Sequence, residues 1–187
     1  MQGLSTNASI GRRVLVIGMA GSGKSTFSRA LSARTGLPVV SLDLHYWKPG
    51  WVRPSEPEWR EKQRALLAGD TWIADGNYYE TADVPLERAA TIVLLDMPWW
   101  LSAWRAFVRG VRRPEGELPA GCEESAVRRL RDEWWLIRRV WLGRRSEPAE
   151  ARALVSKHAP DAALYVLRSK RDVCEFLAHV TFTDAGT

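Results

Sequence analysis

Two periodicities alternate along the chain. Short, nearly continuous apolar runs occur at Arg13–Gly18, Leu37–Leu42, Thr71–Ala74, Thr91–Leu95 and Leu164–Leu167. Runs this short, without polar alternation, predict strands buried on both faces. Between them apolar positions recur at helical spacing. Lys24–Thr35 carries Phe27, Ala30 and Leu31 on one side, and Gly36 follows as a helix stop. Strands alternating with helices predict an α/β fold, a parallel sheet with helices on both faces.

Two excursions interrupt that rhythm. The first, His45–Gly69, opens on aromatics and a Pro-Gly pair. Ser55-Glu56-Pro57-Glu58 then reads as a capping box with proline in the first turn, starting a helix to about Ala68. The second starts near Arg112. Its tip, RPEGELPAGCEE, is rich in Pro, Gly and Glu and predicts a loop over 112–124. A helix with Val127, Leu130, Trp134, Ile137 and Trp141 on one face is expected after it. Residues 1–11 are polar and read as a flexible tail. The whole chain, 1–187, reads as a single domain.

Composition narrows the class. No apolar run approaches the roughly 18–20 residues that span a bilayer, and the polar start does not resemble a secretory leader. Cys122 and Cys174 form no metal-ligand spacing, so a reducing, cytoplasmic setting is expected. The net charge of +5 is localised: residues 101–145 hold eleven arginines against six acids, which is the entire excess. Such a segment suits an anionic partner or forms a solvated helical face.

The chemistry is most explicit in GMAGSGKST, from Gly18 to Thr26. Gly18, Gly23, Lys24 and Ser25 satisfy G-x-x-x-x-G-K-S/T between a predicted strand and a predicted helix, the context a phosphate-binding loop requires. Glycines let the backbone, here through Ala20, Gly21, Ser22 and Gly23, curl with its N–H groups around a phosphate. The helix start adds its positive end. Lys24 can reach the β- and γ-phosphates of a nucleoside triphosphate, Ser25 can ligate Mg²⁺ and Thr26 can hydrogen-bond an inner phosphate. In a parallel sheet, ligands sit beyond the C-terminal strand ends. Asp43, Asp75 and Asp96 fall there, and each can hold Mg²⁺, accept a proton from an attacking hydroxyl, or cap a helix.

DGNY at Asp75–Tyr78 resembles the Asp-Gly element of adenylate kinases, and LDMP followed by Arg105 and Arg109 resembles the segment leading into their lid. LDLHYWKPGW, WIADGNY, LDMPWWL, the PAGCEE tip and YVLRS together are still more similar to the bacterial DNA topology modulation proteins, an adenylate-kinase-like P-loop family. The resemblance runs from about Arg13 to Val180. It implies a five-stranded P-loop kinase core, an acceptor-binding excursion at 45–69 and a lid at 112–124. It implies ATP and Mg²⁺ as cofactors, with Lys24 steadying the transferring group, Ser25 on the metal and Asp75 in its outer shell. Arg105 and Arg109 would contact nucleotide phosphates, and Arg168 would lie near the base. Gly76, Asn77 and Tyr78 would line the acceptor site.

The sequence departs from adenylate kinases in two places. Asp-Gly is followed by Asn77, Tyr78 and Tyr79 instead of Phe-Pro-Arg, so the arginine that grips a monophosphate is missing. Lys48, Arg53, Arg60 or Arg64 would have to substitute. The lid has Cys122 alone, which argues against a zinc site.

Arg105, Arg109 and Arg112 share a helical face and suit the charge of a transferring phosphoryl group. Trp47 and Trp51 frame Lys48 and can either stack on an acceptor or pack the excursion down. His45 can contact substrate or orient Asp43. The leading expectation is therefore ATP-dependent phosphoryl transfer to a small acceptor, a nucleotide or nucleoside. A nucleic-acid-associated ATPase using residues 101–145 is the alternative. A GTPase switch is disfavoured by the lack of an Asn-Lys-x-Asp element.

Overall fold

The computed structural model describes residues 8–111, 119–122, 142 and 147–182, the side chains of 106, 109–111 and 147 excepted. The helix expected over 127–141 lies outside the described residues, as do Arg112 and most of the lid tip.

The apolar run β2 (Arg13–Gly18) is the central strand. It is flanked by β4 (Trp72–Asp75) and β5 (Thr91–Leu95), with β3 (Val39–Ser41) and β6 (Ala163–Leu167) at the edges. The order β3-β4-β2-β5-β6 is parallel throughout. Successive side chains point to opposite faces, which sorts each run into two cores. Val14, Val16, Ile73, Val93 and Leu95 meet Phe27 and Leu31 of α1 (Lys24–Thr35) and Phe176 of α7 (Lys170–His179). Leu15, Ile17, Ala74, Ile92 and Leu94 meet Leu86 of α4 (Asp83–Arg88) and Ala151 and Val155 of α6 (Glu147–His158). The remaining helices are α2 (Leu42–Tyr46), α3 (Glu56–Leu66) and α5 (Trp99–Val111). This is an α/β fold of adenylate-kinase-like layout. No helix among the described residues is long and apolar enough to cross a membrane.

Three expectations need correction. Residues 1–11 are not all tail: Ala8–Ile10 form β1, parallel to β7 (Val180–Phe182). Ile10 is fully buried, and the Tyr165 hydroxyl donates to the Ser9 carbonyl at 2.8 Å. A three-residue strand is too short to show a period, and its partner is 172 residues away in sequence. The run Leu37–Leu42 yields only Val39–Ser41 as strand, because Leu42 turns into α2 and carries Asp43 into a helical first turn. The strand expected at Thr71–Ala74 shifts by one, so Asp75 is its last residue.

Candidate active site

β2 and α1 are joined by Met19–Gly23, the loop of the phosphate-binding motif. Gly23 is the N-cap of α1 at φ 99°, with no side chain to satisfy the first-turn N–H groups, so these remain for an anion. Gly21, at φ 78°, lies so close to α5 that a Cβ there would collide with the Ser102 carbonyl. The loop is thus held from above by α5. Arg105 on that helix donates from Nη1 to the Ser22 carbonyl at 3.1 Å. Lys24 Nζ donates to the carbonyls of Gly18 (2.8 Å) and Met19 (3.2 Å). Ser25 and Thr26 are exposed on the first turn, and Ser22 is buried with no hydrogen bond to its Oγ.

Asp75 ends β4 in register with Val16 on one side and Ser41 on the other. It is 3% exposed, and neither carboxylate oxygen makes a hydrogen bond. A buried carboxylate without a partner is costly unless it meets a cation. Oxygen donors alone suit a hard divalent ion, so Asp75 and the Ser25 hydroxyl fit Mg²⁺.

Asp43 is exposed and accepts a hydrogen bond from the Tyr78 hydroxyl at 2.7 Å. Burial, then the Asp43 carboxylate, pushes the Tyr78 phenol far above its ordinary pKa, so it remains a donor. Asp96 is tied elsewhere: Arg152 lies at 2.8 Å and Arg168 at 3.6 Å. It ties β5 to α6 and the end of β6. Arg168 itself is exposed beside that pair.

The first excursion forms an aromatic wall. Tyr46 packs on Trp47 (5.2 Å between ring centroids), Trp59 (5.0 Å) and Tyr78 (4.7 Å). Trp47 and Trp51 stack edge to face at 5.6 Å, and the Arg53 guanidinium lies 5.7 Å over Trp47. These two tryptophans therefore pack against each other. The capping box forms: Glu58 accepts from the Ser55 backbone at 2.8 Å. The hydrogen bond from Lys48, then those from Ser55, hold the Glu58 carboxyl at about 2. Arg60 bridges Asp83 (2.7 Å), Glu56 (2.8 Å) and the Glu80 carbonyl (2.9 Å). Lys62 donates to the His45 carbonyl, and Arg64 pairs with Glu61 at 3.6 Å. Partial burial, then Lys62, lowers the pKa of the exposed His45 imidazole.

Gly76 packs where a Cβ would lie 2.8 Å from Leu42 Cβ, and Asn77 Nδ2 donates to the Tyr79 hydroxyl at 2.9 Å. Beneath Gly76–Tyr79 lies a narrow cleft of about 20 Å³, room for about one water, walled by Ile17, Leu42, Gln63 and Leu86 among others. Part of the lid tip reaches the excursion: Gly50 N–H donates to the Gly121 carbonyl at 3.0 Å, and Cys122 Sγ to the Lys48 carbonyl at 3.4 Å. The Arg109 side chain lies outside the described residues. Sequence reasoning missed Trp59, Gln63 and Tyr79. Trp59 and Gln63 sit four apart on α3, where helical spacing alone reads as ordinary core.

No protein-family model matches the chain, and no curated protein sequence matches it. Solved structures do. A shikimate kinase from Acinetobacter baumannii, determined with shikimate, is 17% identical over 88% of each chain, with a TM-score of 0.52. A shikimate kinase from Aquifex aeolicus is 19% identical over 89% of this chain and 94% of its own, with a TM-score of 0.49. A gluconokinase from Sinorhizobium meliloti is 15% identical over 91% and 92%, also with a TM-score of 0.49. The first of these shares the fold.

Proposed function

We propose that the protein is a P-loop kinase that transfers the γ-phosphoryl group of Mg²⁺-ATP to a small acceptor, a nucleotide or nucleoside. The observation that carries this reading is the Gly18–Thr26 loop, uncapped at α1 and tied to Arg105, with the buried, unpartnered Asp75 ending the strand next to β2, in register with Val16. Loop amides and Lys24 bind the phosphates, Lys24 leaving the Gly18 and Met19 carbonyls to do so. Ser25 and Asp75 would hold magnesium, Asp75 from the outer shell, and the ion would supply positive charge to offset that of the phosphates. An acceptor oxygen forms a bond to the γ-phosphorus while the bond from phosphorus to the β–γ bridging oxygen breaks, and ADP leaves. Asp43, oriented by Tyr78, takes the acceptor proton. Arg105, and Arg109 from the same helix, stabilise the charge of the transferring group. Arg168 lies at the nucleotide-base side, and His45, Trp47, Lys48, Trp51, Arg53, Arg64, Asn77 and Tyr78 surround the acceptor.

The HYWKPGW and DGNY elements support placing the chain among the DNA topology modulation proteins, and the two free cysteines support a cytoplasmic setting. The neighbours lend no support to the nucleic-acid alternative. The test is ADP formation from ATP across a panel of nucleotides, nucleosides and sugars. At least one acceptor should raise the rate well above basal; a rate that no acceptor changes would refute transfer.

A further inference from the structure

We infer that Arg60 is a positioning residue: its guanidinium clamps α3 to the stretch after Tyr78 and so keeps the Tyr78 hydroxyl on Asp43. The inference rests on the kinase reading above, which gives Asp43 the acceptor proton, and adds a residue to it.

The Tyr78 hydroxyl meets Asp43 Oδ1 at 2.7 Å across 35 positions of sequence. That bond is directional, so the ring that carries it has to be held. Two aromatic rings flank it, Tyr46 of α2 at 4.7 Å and Trp59 of α3 at 4.9 Å between centroids. Gly76 closes in as well: a Cβ there would lie 3.2 Å from Tyr78 Cε2. Trp59 is buried and also packs on Tyr46. The position of α3 therefore sets the position of the Tyr78 ring.

Arg60 follows Trp59 directly and fixes α3 in place. Its Nη1 donates to Asp83 Oδ2 at 2.7 Å, its Nη2 to the Glu80 carbonyl at 2.9 Å and its Nε to Glu56 Oε1 at 2.8 Å. Glu80 belongs to the short turn Tyr79–Thr81, in which the Thr81 N–H donates to the Tyr78 carbonyl at 3.1 Å, and Asp83 lies just beyond it. Glu56 lies one turn back on α3. One planar fork thus joins the helix bearing Trp59 to the backbone that leaves Tyr78. A guanidinium holds its donors in fixed directions, which a lysine ammonium does not. The Arg60–Asp83 pair is shielded, its side chains 25% and 27% exposed, whereas those of the Arg64–Glu61 pair on the same helix are 59% and 79% exposed. Pairs of the second kind contribute little, so the clamp lies with Arg60.

The test uses the full chain and two readouts. In protein carrying ¹³C-labelled tyrosine rings, the Tyr78 signals are identified by their loss in Tyr78→Phe. The flanking rings should displace them from solvent-exposed values, and Arg60→Ala should move them back. Arg171→Ala, which deletes an exposed pair with Glu175 on α7, should leave them in place. Kinetics supply the second readout, with Mg²⁺-ATP as donor and the nucleotide, nucleoside and sugar panel as acceptors. With an acceptor that raises ADP formation, Arg60→Ala should lower kcat on the order of tenfold, as Tyr78→Phe should. The Kd for Mg²⁺-ATP should not change. The double variant should fall within about twofold of Tyr78→Phe alone, since both changes act on one contact. Arg60→Lys, which keeps the charge and loses the fork, should lie between the parent and Arg60→Ala, and it stands in if the alanine variant does not fold. Tyr78 signals that stay in place, or kcat losses that multiply to about a hundredfold in the double variant, would overturn the inference and leave the kinase reading standing. Turnover that no member of the panel raises would overturn the kinase reading, and the ring signals would still decide whether Arg60 holds Tyr78.

Discussion

The proposed phosphate side and the proposed acceptor side of the site are built by different means. The proposed phosphate side is nine consecutive residues, Gly18–Thr26, in which backbone geometry does most of the work: a Cβ at Gly18 would collide with the Leu95 carbonyl and one at Gly21 with the Ser102 carbonyl. The proposed acceptor side draws on α2, α3, Gly76–Tyr79 and the Pro119–Cys122 tip, where side chains make the ties: Asp43 with Tyr78, Lys48 with Glu58, Arg60 with Asp83. A backbone device is local and tolerates few substitutions. A side-chain device is spread along the chain, and its parts can be exchanged one at a time, which is how one fold serves many acceptors.

The sharpest way to break this comparison is at Arg105, whose side chain ties the loop to α5. Arg105→Ala removes a cation from the transferring group; kcat should fall on the order of 10³-fold, with acceptor KM nearly unchanged, in steady-state kinetics. Asp75→Asn comes next. Loss of a magnesium partner should raise the Mg²⁺ concentration needed for half-maximal turnover about 10–100-fold. Removing an uncompensated buried charge should at the same time raise the denaturation midpoint. A structural carboxylate would give neither the magnesium shift nor the gain in stability.

That asymmetry also governs what the sequence disclosed. β2, α1 and β5 follow from local pattern, with boundaries matching the expected ones at Arg13–Gly18, Lys24–Thr35 and Thr91–Leu95. The capping box at Ser55 was equally legible, since its two partners are three residues apart. Contacts between distant segments left no local trace. Nothing in a linear pattern says that Tyr78 will donate to Asp43, 35 positions earlier, or that Gly121 will meet Gly50. Gln63 on α3 has the spacing of an ordinary core residue; only its buried, unpaired amide sets it apart. Asp96 shows the reverse case. Its position beyond a strand end suggested chemistry, and Arg152 and Arg168 hold it in an ion-paired tie.

On the acceptor side the effects should be smaller. Tyr78→Phe deletes the hydrogen bond to Asp43 and should lower kcat about tenfold, consistent with a lost hydrogen bond to a charged group. The Kd for Mg²⁺-ATP, measured by calorimetry, should not change. Smallest is the pH response of the excursion. Glu58 has its folded pKa lowered from 4.5 to about 2 by Lys48 and Ser55. Its contribution to stability is therefore present above about pH 4.5 and is lost as the pH falls towards 2. Denaturation midpoints for the parent should decline across that window, and Glu58→Gln should flatten the decline.

Calorimetry with Mg²⁺-ATP tests the phosphate side, on which the account depends most. The parent should bind with micromolar Kd and measurable heat, and Lys24→Ala should weaken binding at least tenfold while its melting temperature without nucleotide stays near that of the parent. Heat absent from the parent, or equal affinity in Lys24→Ala, would contradict the account.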